Sequence, residues 1–204
     1  PRFRLQGEFI RDQALFVSGL LTDQTGGASV KPYQPSNIWN EVSLNGGLRY
    51  RQDKGENLYR KSMYTYWKRS APMPNMMIFD SPSREKCVIQ RARTNTPLQA
   101  LVTLNDPQFV EAARKLAERI LTESAETSTR IDRAYQLCTS RKANLREHAV
   151  IEKLLEDQRQ RFTESPENAK QLLEVGESPK ADSITEIDLA AWSVICQMIL
   201  NLDE

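Results

Sequence analysis

The sequence has few of the residues on which chemistry usually rests. One histidine, His148, stands among 204 residues. That removes metal sites built on paired histidines and leaves little room for a Ser-His-Asp arrangement. Cysteines number three, Cys87, Cys138 and Cys196, far apart and with no Cys-x-x-Cys. No zinc knuckle or haem-attachment motif is therefore encoded. Each cysteine has apolar neighbours in sequence, so three buried free thiols are expected over one disulfide and a leftover thiol. No apolar run approaches the ~20 residues of a membrane span. No basic start with an apolar block marks a signal peptide, and the opening Pro1-Arg-Phe-Arg-Leu reads as the middle of something. Lys/Arg runs are absent too, and the scattered cations argue against nucleic-acid binding.

Charge is present but unevenly spread. The chain carries a net charge of +1, resolved into +7 over residues 1–97 and −6 over residues 98–204. Aromatics follow the same split, with 11 of 15 before residue 98. An aromatic, basic half supplies stacking faces and cations for a ligand, or a core cluster with a solvated rim. The chain thus reads as one domain with two parts, an irregular aromatic and basic region over 1–95 and a helical core over 96–204.

Helical periodicity predicts a mainly α fold. A first helix is expected over Arg4–Leu21, with Leu5, Phe9, Phe16 and Leu20 at helical spacing and Ile10, Val17 and Leu21 broadening its apolar face. The Thr22–Gly27 segment breaks it. Over Ala28–Val42, Pro32 and Pro35 predict a loop region in which Ser36 caps one turn holding Ile38 and Trp39. Leu44–Lys68 has two readings. Tyr59, Met63, Tyr66 and Trp67 fit a helical face, whereas β composition favours a small hairpin, the option preferred here. Ser70-Ala-Pro-Met-Pro-Asn-Met-Met reads as a loop from its prolines.

The second half is plainer. Thr96 precedes Pro97, with Gln99 three residues on, which is the pattern of a capping box. Leu98, Leu101, Val102 and Leu104 give that helix an apolar side. Asp106-Pro107 repeats the device for a helix carrying Phe109, Ala112, Ala113, Leu116 and Ile120. Further helices are expected over Ile131–Ser140, Leu145–Phe162, Pro166–Val175 and Ile184–Leu202. The last is apolar around most of its circumference and belongs in the core.

Several long blocks carry a family resemblance. They are Gly26-Gly-Ala-Ser-Val-Lys-Pro-Tyr-Gln-Pro, Gly55-Glu-Asn-Leu-Tyr-Arg-Lys-Ser-Met-Tyr-Thr-Tyr-Trp-Lys-Arg, Phe79-Asp-Ser-Pro-Ser-Arg-Glu-Lys-Cys, and Arg91-Ala-Arg-Thr-Asn-Thr-Pro-Leu-Gln-Ala-Leu. Asn105-Asp-Pro-Gln-Phe-Val-Glu-Ala-Ala-Arg and the terminal Leu200-Asn-Leu-Asp-Glu complete the set. Together they resemble the C-terminal half of the planctomycete-specific domain of unknown function found in large cytochrome-c-linked bacterial proteins. The resemblance implies a piece of a larger domain in a periplasmic or otherwise extracytoplasmic protein. It implies haem elsewhere in that protein and no cofactor in this chain. Other domains of the same polypeptide, or a protein, are the implied partners, and polysaccharide is a further candidate. It carries no activity to any residue.

Candidate sites are few. Arg84, Arg91 and Arg93, with Thr94 and Asn95, approach the start of the Pro97 helix, where free N–H groups favour an anion. Either the arginines converge to hold a carboxylate, phosphate or sulfate, or Arg84 or Arg93 pairs with Asp80, Glu85 or Asp106 and locks the loop to the helical half. Trp39, Tyr64 and Trp67 are the candidate aromatic contact surface. Two carboxyls from Asp53, Glu56, Asp80 and Glu85 beside those rings would suit glycoside chemistry. Asp53-Lys-Gly-Glu-Asn lacks full calcium-loop spacing, and Ser83 lies in no nucleophile elbow. His148 reads as a partly buried helix residue. The preferred reading is a non-catalytic interaction or scaffold module, leaning away from an enzyme. The alternative is part of a polysaccharide-acting enzyme with an anion or sugar site near Arg84, Arg91 and Arg93.

Overall fold

The computed structural model describes residues 4–42 and 49–202. The chain divides into two compact units, Pro1–Asp12 with Leu21–Val102, and Gln13–Leu20 with Thr103–Glu204. The described residues are mainly helical and contain no sheet.

The second unit is a helical bundle. Its helices are α5 (Pro107–Glu123), α6 (Thr127–Thr139), α7 (Leu145–Glu164), α8 (Pro166–Leu173) and α9 (Glu186–Leu200). The apolar sequence of α9 has the consequence expected of it: this helix packs against all four others. Leu189, Trp192, Ile195 and Cys196 are fully buried on it. Each such aliphatic side chain contributes roughly 2 kcal/mol by leaving water. On α5, Ala112, Ala113 and Ala117 lie inward beside Leu116 and Ile120, and their small side chains let α9 approach closely.

Caps set where these helices begin. Asp106 accepts a hydrogen bond from Gln108 N at 2.9 Å, with Pro107 at the first helical position. At α7, Asn144 accepts from Arg146 N and Glu147 N, and Glu147 returns a bond to Asn144 N at 2.7 Å. Arg141 also donates to both Glu147 oxygens, at 2.8 and 2.7 Å. These bonds from the Arg141 side chain, then from the Asn144 backbone, hold the Glu147 carboxyl down at about 2, against an ordinary 4.5. A carboxyl depressed by folding stabilises the fold above its ordinary value and loses that contribution as pH falls through the folded one. Stability is therefore expected to fall between about pH 4.5 and 2 as this box is protonated. In Glu147→Gln the acid limb of a plot of urea midpoint against pH should be shallower across that window. An unchanged limb would show that the box does not couple to folding.

The first unit is irregular, and buried arginines hold it together. It contains the first turns of α1 (Gly7–Ser18), then α2 (Ile38–Glu41) and two short 3-10 turns at Gly55–Tyr59 and Ser62–Tyr64. α3 (Pro74–Ile78) and the first turns of α4 (Pro97–Asn105) follow. Arg11, only 2% exposed, donates to Leu58 O at 2.7 Å, Arg60 O at 2.8 Å and Ser62 Oγ at 3.2 Å. Arg60 donates to Ala28 O at 2.9 Å, to Gln24 O and to Gly26 O, and lies 4.0 Å from the centre of the Tyr64 ring. Loop carbonyls without ladder partners need donors when buried. A guanidinium supplies five in a fixed fork. Part of the basic excess of residues 1–97 is thus spent inside the unit.

Several expectations are corrected. The preferred hairpin over Leu44–Lys68 is absent from the described part of that stretch. The two 3-10 turns stand there, with isolated parallel bridges Thr22–Arg60 and Val30–Thr65. Backbone groups that a hairpin would pair are met instead by Arg11, Asp12 and the 22–30 segment. Residues 44–48 of that stretch lie outside the described residues. The Ser70–Met77 loop contains α3, because Pro74 occupies a first helical position where its missing N–H costs nothing. Asn37, at φ 75°, takes the cap position expected for Ser36 and makes no side-chain cap bond. Cys87 is exposed, while Cys138 and Cys196 are buried.

The largest corrections concern α1 and the face of α4. On α1, Arg11, Ala14, Leu15 and Ser18 are buried, whereas Phe9 and Phe16 are 57% and 68% exposed. Gly7 explains part of this rotation. A side chain there would stand 2.8 Å from Phe79 Cβ, so the helix presents Gly7 and Arg11 inward. On α4, Gln99 and Thr103 are buried, and Leu98 and Leu101 are 56% and 55% exposed.

Candidate anion-binding site

The arginine-rich approach to α4 lies in the first unit and is organised by two carboxylates. Asp80 sits at φ 60° just after α3, a left-handed position that aspartate tolerates. Its Oδ2 accepts from Thr94 N at 2.6 Å and Thr94 Oγ1 at 2.8 Å. Gln99 then closes the turn. Its Nε2 donates to Ile78 O at 2.8 Å and Thr94 Oγ1 at 3.1 Å, and its Oε1 accepts from Thr96 N at 3.2 Å. That last bond is the return half of the expected capping box. Glu8, in the first turn of α1, takes Arg91 Nη1 at 2.8 and 3.0 Å, and Gln6 Oε1 takes the same nitrogen at 3.0 Å.

An open cleft forms beside this frame, lined by Arg4, Leu5, Gln6, Phe79, Asp80, Arg91, Ala92 and Arg93. Its enclosed part has room for about one water molecule. Of the candidate residues, Arg91 and Arg93 meet here. Thr94 binds Asp80, and Asn95 is exposed nearby in sequence. Arg84 is placed elsewhere. It adopts φ 64° and lies 4.6 Å from the centre of the Trp67 ring, and Trp67 Nε1 donates to Ser83 O at 3.1 Å. Pairing with Glu8 was not among the partners anticipated for this arginine group. Arg4 and Glu8 were missed as members, since nothing local links residues 4–8 to residues 80–93.

The aromatic candidates each carry a cation. Trp39 is buried and tilted against Tyr50 and Tyr66, with Lys68 Nζ 4.8 Å from its ring centre. Tyr64 and Trp67 are half-buried beneath Arg60 and Arg84, and the Tyr64 hydroxyl accepts from Gly26 N at 2.8 Å. Among the carboxylates, Asp53 accepts from Lys31 N at 2.8 Å. Asp80 is committed to Thr94, and Glu56 and Glu85 are exposed.

Burial pushes the Cys138 thiol up to about 12 and raises Cys196 well above its usual range. A thiol held protonated is a poor nucleophile. His148 is partly buried and its Nε2 meets Asp132 Oδ1 at 2.9 Å. Among the described residues no three His, Cys, Asp or Glu side chains cluster as a metal site would require. No described helix is long and apolar enough to cross a membrane.

A buried charge cluster in the second unit was also missed. Glu111, Arg114 and Glu118 are almost inaccessible on α5. Their i, i+3, i+7 spacing within the Phe109–Ala113–Leu116 stripe was the available signal.

Residues 1–155 match the family model described as PSD1, a protein of unknown function (DUF1553). The chain belongs to this family. No curated protein and no solved structure matches it. The PSD1 match agrees with the resemblance of the sequence blocks to a domain of unknown function. It takes in the whole cleft, α1 and α4, and ends inside α7, so α8 and α9 lie beyond the matched residues.

Proposed function

We propose that this PSD1 chain is a non-catalytic interaction or scaffold module of a larger extracytoplasmic, cytochrome-linked protein of the planctomycete-specific type. Its working surface is the outward apolar side of α1 and α4. One observation carries the reading. Within the first unit both helices turn large apolar side chains to solvent, Leu5 and Phe9 on or next to α1 and Leu98 and Leu101 on α4, while burying Arg11 and Gln99. A helix that faces only water has the opposite pattern. Contiguous exposed apolar surface marks contact sites. The setting in a larger cytochrome-linked protein rests on the resemblance of the sequence blocks.

The test compares two contexts. Phe9→Glu and Leu101→Glu are expected to shift the urea stability of the 204-residue chain by no more than about 0.5 kcal/mol, as exposed sites do. In the longer protein the same changes should cost roughly 2 kcal/mol or more, the scale of burying an unpaired charge. Equal, small effects in both contexts would sink the reading.

A further inference from the structure

We infer that the cleft beside residues 79–80 and 91–93 is a binding site for a small oxyanion group, a carboxylate or sulfate, held by Arg4 and Arg93 with Arg91 as its fixed wall. This goes beyond the scaffold reading and does not depend on it. Three arginines line one cleft. The two carboxylates of the frame are already engaged. Asp80 receives Thr94 through Oδ2, and Glu8 binds Arg91 through the single nitrogen Nη1.

Thr94 is neutral, so Asp80 keeps its charge and the cleft with Glu8 carries a net +1, while Arg4 and Arg93 are the two arginines without a paired carboxylate. Arg4 Nε is inaccessible to solvent and has no hydrogen-bond partner among the described residues. Arg93 makes no ion pair or hydrogen bond among them either. A buried donor left unmet is costly, and a ligand oxygen that reached it would recover that cost. Guanidinium forks suit the paired oxygens of a carboxylate or sulfate. Arg91 is fixed in place by Glu8 and Gln6, so one wall of the site is ordered before any ligand arrives. The enclosed volume is small. Only one oxygen of the charged head enters, and the rest of the group remains in solvent.

The experiment uses the 204-residue chain at fixed ionic strength, exchanging chloride for sulfate or acetate, with backbone amide shifts of residues 79–94 as the readout. Tetraglutamate against tetraglutamine forms a further arm, which separates a peptide-borne carboxylate from a free ion. A saturable shift with at least one of these oxyanions is expected, absent with chloride and with tetraglutamine. Arg93→Ala and Arg4→Ala should each weaken it at least fivefold, and Arg146→Ala, an exposed arginine on α7, should leave it unchanged. Circular dichroism checks that the variants fold. Should Arg4→Ala fail to do so, the exposed Arg93→Ala decides alone. Equal shifts with chloride, or undiminished binding in Arg93→Ala, would overturn the inference.

Discussion

Gly176→Ala is expected to destabilise the helical unit by about 3–5 kcal/mol, the range found when a buried ion pair is disrupted. Gly176 follows α8 at φ 93°, in the left-handed half of backbone space that glycine occupies without strain. A methyl group there would fall on the Glu111 carboxyl, 2.6 Å from its Cγ. Glu111 is fully buried and cannot swing into solvent. It also accepts from Ser178 N at 2.6 Å, so displacing it loosens the 176–181 connection from α5. Gly19→Ala separates the two costs. Gly19 has φ 78° but nothing within 4 Å of the added carbon. Only backbone strain of roughly 1–2 kcal/mol is expected there. Urea unfolding followed at 222 nm reads both. Equal losses at the two glycines would show that the Glu111 contact is unimportant.

The second large effect is expected at the centre of the same cluster. Arg114 is 1% exposed, 3.0 Å from Glu118 and 3.8 Å from Glu111. It also donates to Ser178 O at 2.7 Å and Ser178 Oγ at 2.8 Å. Arg114→Met keeps the volume and removes the charge, leaving two carboxylates in the interior. Breaking a buried pair from one side costs about 3–5 kcal/mol. For a chain of this length that lowers the melting temperature by roughly 6–20 °C. Neutralising all three positions, Glu111→Gln with Arg114→Met and Glu118→Gln, should recover a good part of the loss. Removing partners together strands no fully buried charge, since Lys115, which also pairs with Glu118, reaches solvent. If the triple variant were no better than Arg114→Met, the loss would come from packing or from Ser178.

The helices of the second half were legible because their signals are local. Asp106-Pro107 and the 3.6-residue stripe of α5 need no knowledge of the rest of the chain, and α9 declares its burial by being apolar around most of its circumference. The first half was not legible in the same way. Its loops are held by Arg11 and Arg60, which reach carbonyls roughly 30 to 50 residues away, and no periodicity announces such bonds. Periodicity also misled at α1 and α4. Of the apolar face read on α1, Val17 is buried as expected, whereas Leu5, Phe9 and Phe16 turn outward. The arginine approach to α4 was visible as a cluster. Its division into Arg84 on Trp67 and Arg91 with Arg93 in the cleft depended on chain geometry that spacing does not encode.

The exposed stripes of α1 and α4 carry the central claim, and amide hydrogen exchange tests it most directly. The measurement compares the 204-residue chain with the longer protein in which the account places it. Side-chain cover slows local opening of a helix, so protection rises where a partner packs. Slower exchange is expected in the longer protein at residues 7–18 and 97–105, with α9 equally protected in both. Unchanged exchange at α1 and α4, with added protection elsewhere or nowhere, would contradict it.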